Sequence, residues 1–103
     1  MVTNKNLNGA IKLAKMAKKL ADKRTMTFVE MTDTLRDMVE QDNKYIFDMT
    51  TRHDGASIYF FDADKPNYQY EITIYPEYEI LLTICDMNDK VGYSARTVCM
   101  MEF

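Results

Sequence analysis

A chain of 103 residues with 47% hydrophobic and 28% charged side chains, but only three Gly and two Pro, has the composition of one folded domain, 1–103, and excludes a disordered chain. No apolar run approaches the roughly 20 residues of a membrane helix and no apolar N-terminal segment suggests export, so a cytoplasmic protein without membrane contact is expected. The formal net charge of −3 is unevenly placed: residues 1–26 carry seven basic side chains against one acidic, and the rest six against fifteen, so a basic end and an acidic body could each face a charged partner.

Residues 6–24 predict a first helix. Leu7, Ile11, Ala14, Ala17 and Ala21, joined by Ala10, Leu13, Met16 and Leu20, make a wide apolar face, opposite a stripe of Lys12, Lys15, Lys19 and Lys23. The four alanines allow a neighbouring element to approach closely. A second helix, 28–41, starts with Thr27-Phe28-Val29-Glu30, a capping box in which side chain and backbone of Thr27 and Glu30 satisfy one another, flanked by Met26 and Met31 as a hydrophobic staple. Phe28, Met31, Leu35, Met38 and Val39 line its apolar face, while Glu30, Asp33, Asp37 and Glu40 fall mainly elsewhere.

From Tyr45 onward the period changes to two. Tyr45, Phe47, Met49 and Thr51 alternate with polar or outward residues, and Asp54-Gly55 signals a two-residue hairpin turn that would set Thr51 opposite Ile58 and Met49 opposite Phe60. The return strand runs from Ser57 to Asp62 and is followed by a polar loop to Asn67. The strictest alternation lies between Tyr68 and Ile84, in two strands around Tyr75-Pro76-Glu77. An odd-length loop or a bulge is needed there to keep Ile72 and Tyr70 on the same face as Ile80 and Leu82. Asp86-Met87-Asn88-Asp89 reads as a turn and Val91 to Met101 as a last strand. The expected fold is α+β: two N-terminal helices packed on one face of an antiparallel meander sheet of four to five strands.

Chemistry is sparse. His53 with Asp54 beside a turn is the only imidazole available as a base, and Ser57 or Ser94 would both have to recruit it without a nucleophile elbow. Cys85 and Cys99 lack CxxC spacing and an electropositive setting, and read as reduced thiols that neighbouring strands could still bring together. Asp62 and Asp64 alternate as in a calcium loop, but no Gly and Glu follow at the required offsets. No catalytic residue, metal ligand or cofactor is assigned, and no enzyme activity is expected.

Two charged surfaces remain. Asp33, Asp37 and Glu40 on the second helix, with Glu71 and Glu79 on the central strands and their turn, are candidate contacts to a protein partner, because carboxylates can replace phosphates opposite Lys and Arg. The seven Tyr and nine Met suit an adaptable binding surface. Lys12, Lys15, Lys19 and Lys23 could instead follow a nucleic-acid backbone, though without interleaved aromatics to stack bases. In size and composition the chain resembles the small, acidic, Met- and Tyr-rich accessory proteins of phages and mobile elements, among them anti-CRISPR inhibitors and DNA mimics. That resemblance implies a non-enzymatic inhibitor or adaptor acting on a nucleic-acid-handling protein. A small nucleic-acid-binding or regulatory protein using the first helix is the alternative, and an exposed last strand would allow a homodimer.

Overall fold

The computed structural model describes residues 4–52, 54–64, 66–91 and 94–103. It contains α1 (Asn4–Asp22), α2 (Phe28–Gln41), β1 (Tyr45–Thr51), β2 (Ala56–Asp62), β3 (Tyr68–Ile74), β4 (Ile80–Val91) and β5 (Ser94–Glu102). The strands form one antiparallel sheet in the order β1-β2-β3-β4-β5, a meander, and the two helices pack on one of its faces. The α+β architecture expected from the periodicities is therefore present. No helix among the described residues is long and apolar enough to cross a membrane.

The alanines of α1 explain how the layers meet. Ala10, Ala14, Ala17 and Ala21 are all fully buried, which lets the helix sit close over β3 and β4 while α2 covers β1 and β2. Gly9 belongs to the same contact, because a Cβ there would collide with the hydroxyl of Tyr45. The helix ends two residues earlier than its apolar pattern suggests. Arg24 takes a left-handed φ of 53°, its amide closes on the Ala21 carbonyl at 3.1 Å, and its guanidinium lies 4.9 Å above the ring of Tyr78.

The N-terminus of α2 is the predicted capping box: the Glu30 amide donates to Thr27 Oγ1 at 3.2 Å, and the Thr27 amide donates to Glu30 Oε1 at 3.0 Å. That backbone donor holds the Glu30 carboxyl below the usual carboxylate range. Met31 of the staple is fully buried and Met26 packs against the core.

Three register details differ from the sequence reading. Around Asp54-Gly55 the pairing is Thr51 with Ser57 and Thr50 with Ile58, one residue from expectation, and beyond a bulge between Phe47 and Met49 it is Phe47, not Met49, that pairs with Phe60. The bulge turns Met49 and Thr51 to the face away from the helices, so Met49 does not join the core. The central loop is odd, as the faces demand, but longer than three residues: Ile74 pairs with Ile80 and Ile72 with Leu82, and Tyr78 takes φ 66° to close it. Finally, Asp86-Met87-Asn88-Asp89 is not a turn. The Asn88 amide bonds the Asp86 carboxylate at 3.0 Å within a local irregularity, and pairing resumes at Lys90 with Ala95 and Val91 with Ser94. An aspartate that caps a backbone amide two residues on makes a bulge as readily as a hairpin. His53 and Tyr93, which the sequence reading assigned to the first hairpin turn and to the last strand, lie outside the described residues.

Candidate functional site

Alternation along the strands sorts their side chains onto two faces. Toward the helices lie Phe60, Tyr70, Ile72, Leu82 and Ile84, all fully buried. Tyr45, Phe60 and Tyr70 form an aromatic group within this core: Tyr45 meets both other rings edge-on, at 5.1 and 5.6 Å, while Phe60 and Tyr70 stack at 5.3 Å.

At the edge of that group Asp62 is 1% exposed and accepts from the Tyr70 hydroxyl at 3.3 Å and from the Asp64 amide at 3.0 Å. Burial, reinforced by the nearby Asp62 carboxylate, raises both Tyr45 and Tyr70 well above the usual tyrosine range. Asp62 and Asp64 thus serve a structural turn at the end of β2, and no group of three or more possible metal ligands occurs among the described residues.

Among the described residues no layer covers the opposite face. Ile46, Met49, Val98 and Met100 are 53%, 47%, 44% and 61% exposed on it or at its edges. Its centre is a polar ladder across β2 and β3. Ser57 and Thr73 hydroxyls lie 3.1 Å apart, Thr73 donates to Glu71 Oε2 at 3.0 Å, and the Tyr59 hydroxyl donates to the same oxygen at 3.1 Å. Partial burial pushes the Tyr59 hydroxyl up, and the Glu71 charge adds to the effect. Beside the ladder, Gln69 donates to Asp48 at 3.4 Å.

Among the described side chains of strand residues 45–86 and 97–102, the charges on this face have one sign. The ionised side chains that alternation assigns to it there are Asp48, Glu71 and Glu102, with no Lys or Arg among them. Cys85 also faces this side, with its sulfur 3.8 Å from Thr97 Oγ1, whereas Cys99 pairs with Ile84 on the covered side. The two free thiols lie on neighbouring strands of one ladder but point to opposite faces, which explains why they do not bridge.

The predicted acidic residues divide between these two sides. Asp33, Asp37 and Glu40 are exposed on the outer surface of α2, beyond the covered face, where Arg36 bonds Glu40 and lies 4.4 Å over the Phe47 ring. The Glu40 carboxylate in turn raises Arg36 further above its already high range. Glu71 is half-buried at the centre of the uncovered face, and Glu79 is exposed in the β3–β4 loop at one end of it. The structure therefore brings Glu71 and Glu79 to the same side of the sheet and separates them from the helix-two carboxylates. Lys12, Lys15 and Lys19 are exposed on α1, again on the helical side, whereas Lys23, expected on the same helix, is exposed in the turn that follows it.

Sequence reasoning missed Asp48, Glu102 and the exposed apolar residues of the open face. Glu102 carried a signal, since the period of the last strand continues one residue past Met101. Met49 did not, because a bulge leaves no mark in a two-residue alternation. No protein-family model matches the chain, and no curated protein or solved structure is significantly similar to it.

Proposed function

We propose that this chain is a non-enzymatic protein-binding module, an inhibitor or adaptor, that docks through the uncovered face of its sheet onto a partner presenting basic and apolar groups. The observation that carries this reading is the coincidence, on one face and its edges, of exposed Ile46, Met49, Val98 and Met100 with the carboxylates of Asp48, Glu71 and Glu102, with no basic side chain among the described strand residues 45–86 and 97–102 of that face. Antiparallel sheets tolerate water on one side, but they then usually present polar side chains there. Large apolar groups beside charges of a single sign suit a complementary surface instead.

Charge also selects the occupant. Two copies stacked through this face would bring Asp48, Glu71 and Glu102 against their own duplicates, which is unfavourable, whereas a basic partner would pair with them. Proteins that handle nucleic acid carry such basic surfaces, so a cytoplasmic nucleic-acid-binding enzyme or complex is the class of partner proposed.

The test starts from a pull-down out of a nuclease-treated bacterial lysate and is decided by variants and footprinting. Loss of a stoichiometric partner on Ile46→Lys with Met100→Lys, together with slower alkylation of Cys85 in the complex than in the free chain while Cys99 is unchanged, supports the sheet face. Loss instead on Asp33→Lys, Asp37→Lys and Glu40→Lys overturns it in favour of α2. A dimer in light scattering that Met100→Lys dissolves would make the occupant a second copy.

The exposed row of Lys12, Lys15, Lys19 and Lys23 supports a second reading, binding of a nucleic-acid backbone by α1. It expects binding to a mixed-sequence duplex that weakens steeply with salt and disappears on Lys15→Glu with Lys19→Glu.

A further inference from the structure

The β3–β4 loop and the end of β5 enclose a recess of about 350 Å³, lined by Tyr75, Glu79, Ile80, Leu81, Glu102 and Phe103. Backbone pairing builds its floor. The Tyr75 amide donates to the Glu79 carbonyl at 2.9 Å, one step beyond the pairing of Ile74 with Ile80, and the Phe103 amide donates to the Ile80 carbonyl at 2.9 Å. Leu81 stands opposite Glu102.

Alternation then assigns Tyr75, Glu79, Leu81 and Glu102 to the uncovered side of the sheet, with Ile80 turned to the core, where it is 1% exposed. Glu79 and Glu102 are diagonal neighbours across the pair, a spacing of about 7–8 Å that leaves room for one group between them. Both are exposed, and Tyr75, 41% exposed, forms a third wall. Among the described residues no basic side chain lines the recess.

We propose that this recess receives an arginine side chain of the protein partner. A guanidinium is planar and carries donors along more than one edge, so it can bond two separated carboxylates while one of its faces lies on the Tyr75 ring. A lysine ammonium, a point charge on a thin stem, would use the carboxylates but forgo the stacking. Leu81 supplies the apolar floor that the methylene stem of the arginine needs. The inference rests on the docking reading above and sharpens it, since the recess opens at one end of the same face and adds Glu79 to that face's carboxylates.

The probe is N-acetyl-arginine amide, titrated into the 15N-labelled chain at low salt and followed by amide chemical shifts, with the capped lysine and capped norleucine amides alongside. Saturable shifts confined to Tyr75, Glu79, Leu81 and Glu102 are expected with arginine, weaker ones with lysine and none with norleucine. Glu79→Gln with Glu102→Gln should weaken arginine binding about fivefold or more, in line with loss of two exposed ion pairs. Tyr75→Leu, whose folding does not depend on those carboxylates, should remove the preference for arginine over lysine.

Shifts scattered over Asp33, Asp37 and Glu40 as well, equal shifts with lysine, or unchanged affinity in the Gln variant would each overturn the proposal. Because this titration uses no partner, its failure removes the recess and leaves the sheet-face reading standing. Failure of the pull-down variants removes the sheet face while the titration still reports on the recess.

Discussion

On its covered face the sheet presents Phe60, Tyr70, Ile72, Leu82 and Ile84 to the helices, all fully buried, while its other face leaves Ile46 and Met100 more than half exposed. Both faces come from the same strands, one residue out of phase. What separates them is the layer above: four small alanines let α1 close over β3 and β4, and α2 closes over β1 and β2. The covered face therefore carries the stability of the molecule, and the open face is free to be chosen for something else. Substitutions on the two faces should differ accordingly, in both size and kind.

The largest contrast comes from the core aromatic group. Phe60→Ala removes a ring that stacks on Tyr70 and meets Tyr45 edge-on, and should cost about 3–5 kcal/mol. Urea unfolding followed by circular dichroism measures it, and a loss under 1 kcal/mol would mean that the helices do not seal this face as described.

Alkaline pH probes the same group through its hydroxyls. Tyr45 and Tyr70 are raised above the ordinary tyrosine value of about 10, so below that pH their contribution to stability is fully present. Above it the unfolded chain ionises while the folded one does not. Stability then falls by about 1.4 kcal/mol per pH unit for each residue, until the folded hydroxyls ionise too. Between about pH 8 and pH 11 the wild type should lose more stability than Tyr45→Phe with Tyr70→Phe, by an amount that urea midpoints at the two pH values resolve. Equal losses would show that these hydroxyls are solvated.

A smaller effect tests the contact between α1 and the start of β1. Alanine at a helix position normally stabilises by up to about 1 kcal/mol over glycine. Gly9→Ala should instead destabilise by about 1–3 kcal/mol, because the new methyl meets the Tyr45 hydroxyl in a packed setting. Tyr45→Phe in the same chain should recover part of the loss, and a simple gain in melting temperature for Gly9→Ala would refute the close approach.

Much of the covered face was legible in the sequence, and the reasons are local. The strict alternation from Tyr68 to Ile74 and from Ile80 to Ile84 fixes which residues meet the core, and Thr27 with Glu30 marks the start of α2 through a capping box the structure contains. The open face was legible only in part. One extra residue at Asp48 reverses Met49 and Thr51, and an aspartate-capped bulge looks like a turn from Asp86 to Asp89. Both depend on how backbone amides are satisfied between strands, which side-chain periodicity does not encode. Likewise, the acidic residues of α2 and those of β3 are similar in sequence and stand on opposite sides of a sheet, because nothing in a residue's charge states which layer will cover it.

The smallest stability effect is the one that decides whether the open face is more than uncovered. Met100 is 61% exposed on β5 beside Thr83, which it faces across the ladder, so Met100→Ser removes little that folding buried. Its unfolding free energy should stay within about 0.5 kcal/mol of wild type. Partner binding should respond differently, because an exposed apolar side chain that becomes buried in a complex contributes there what it does not contribute to the fold, about 1 kcal/mol or more. A fivefold or greater loss of affinity, on the order of 1 kcal/mol, with unchanged urea midpoint would separate the two faces by function as the helices separate them by burial. If Met100→Ser instead lowered stability by more than about 1 kcal/mol and left binding untouched, the exposed methionine would belong to the folding of β5, and the acidic surface of α2 would become the docking face to test.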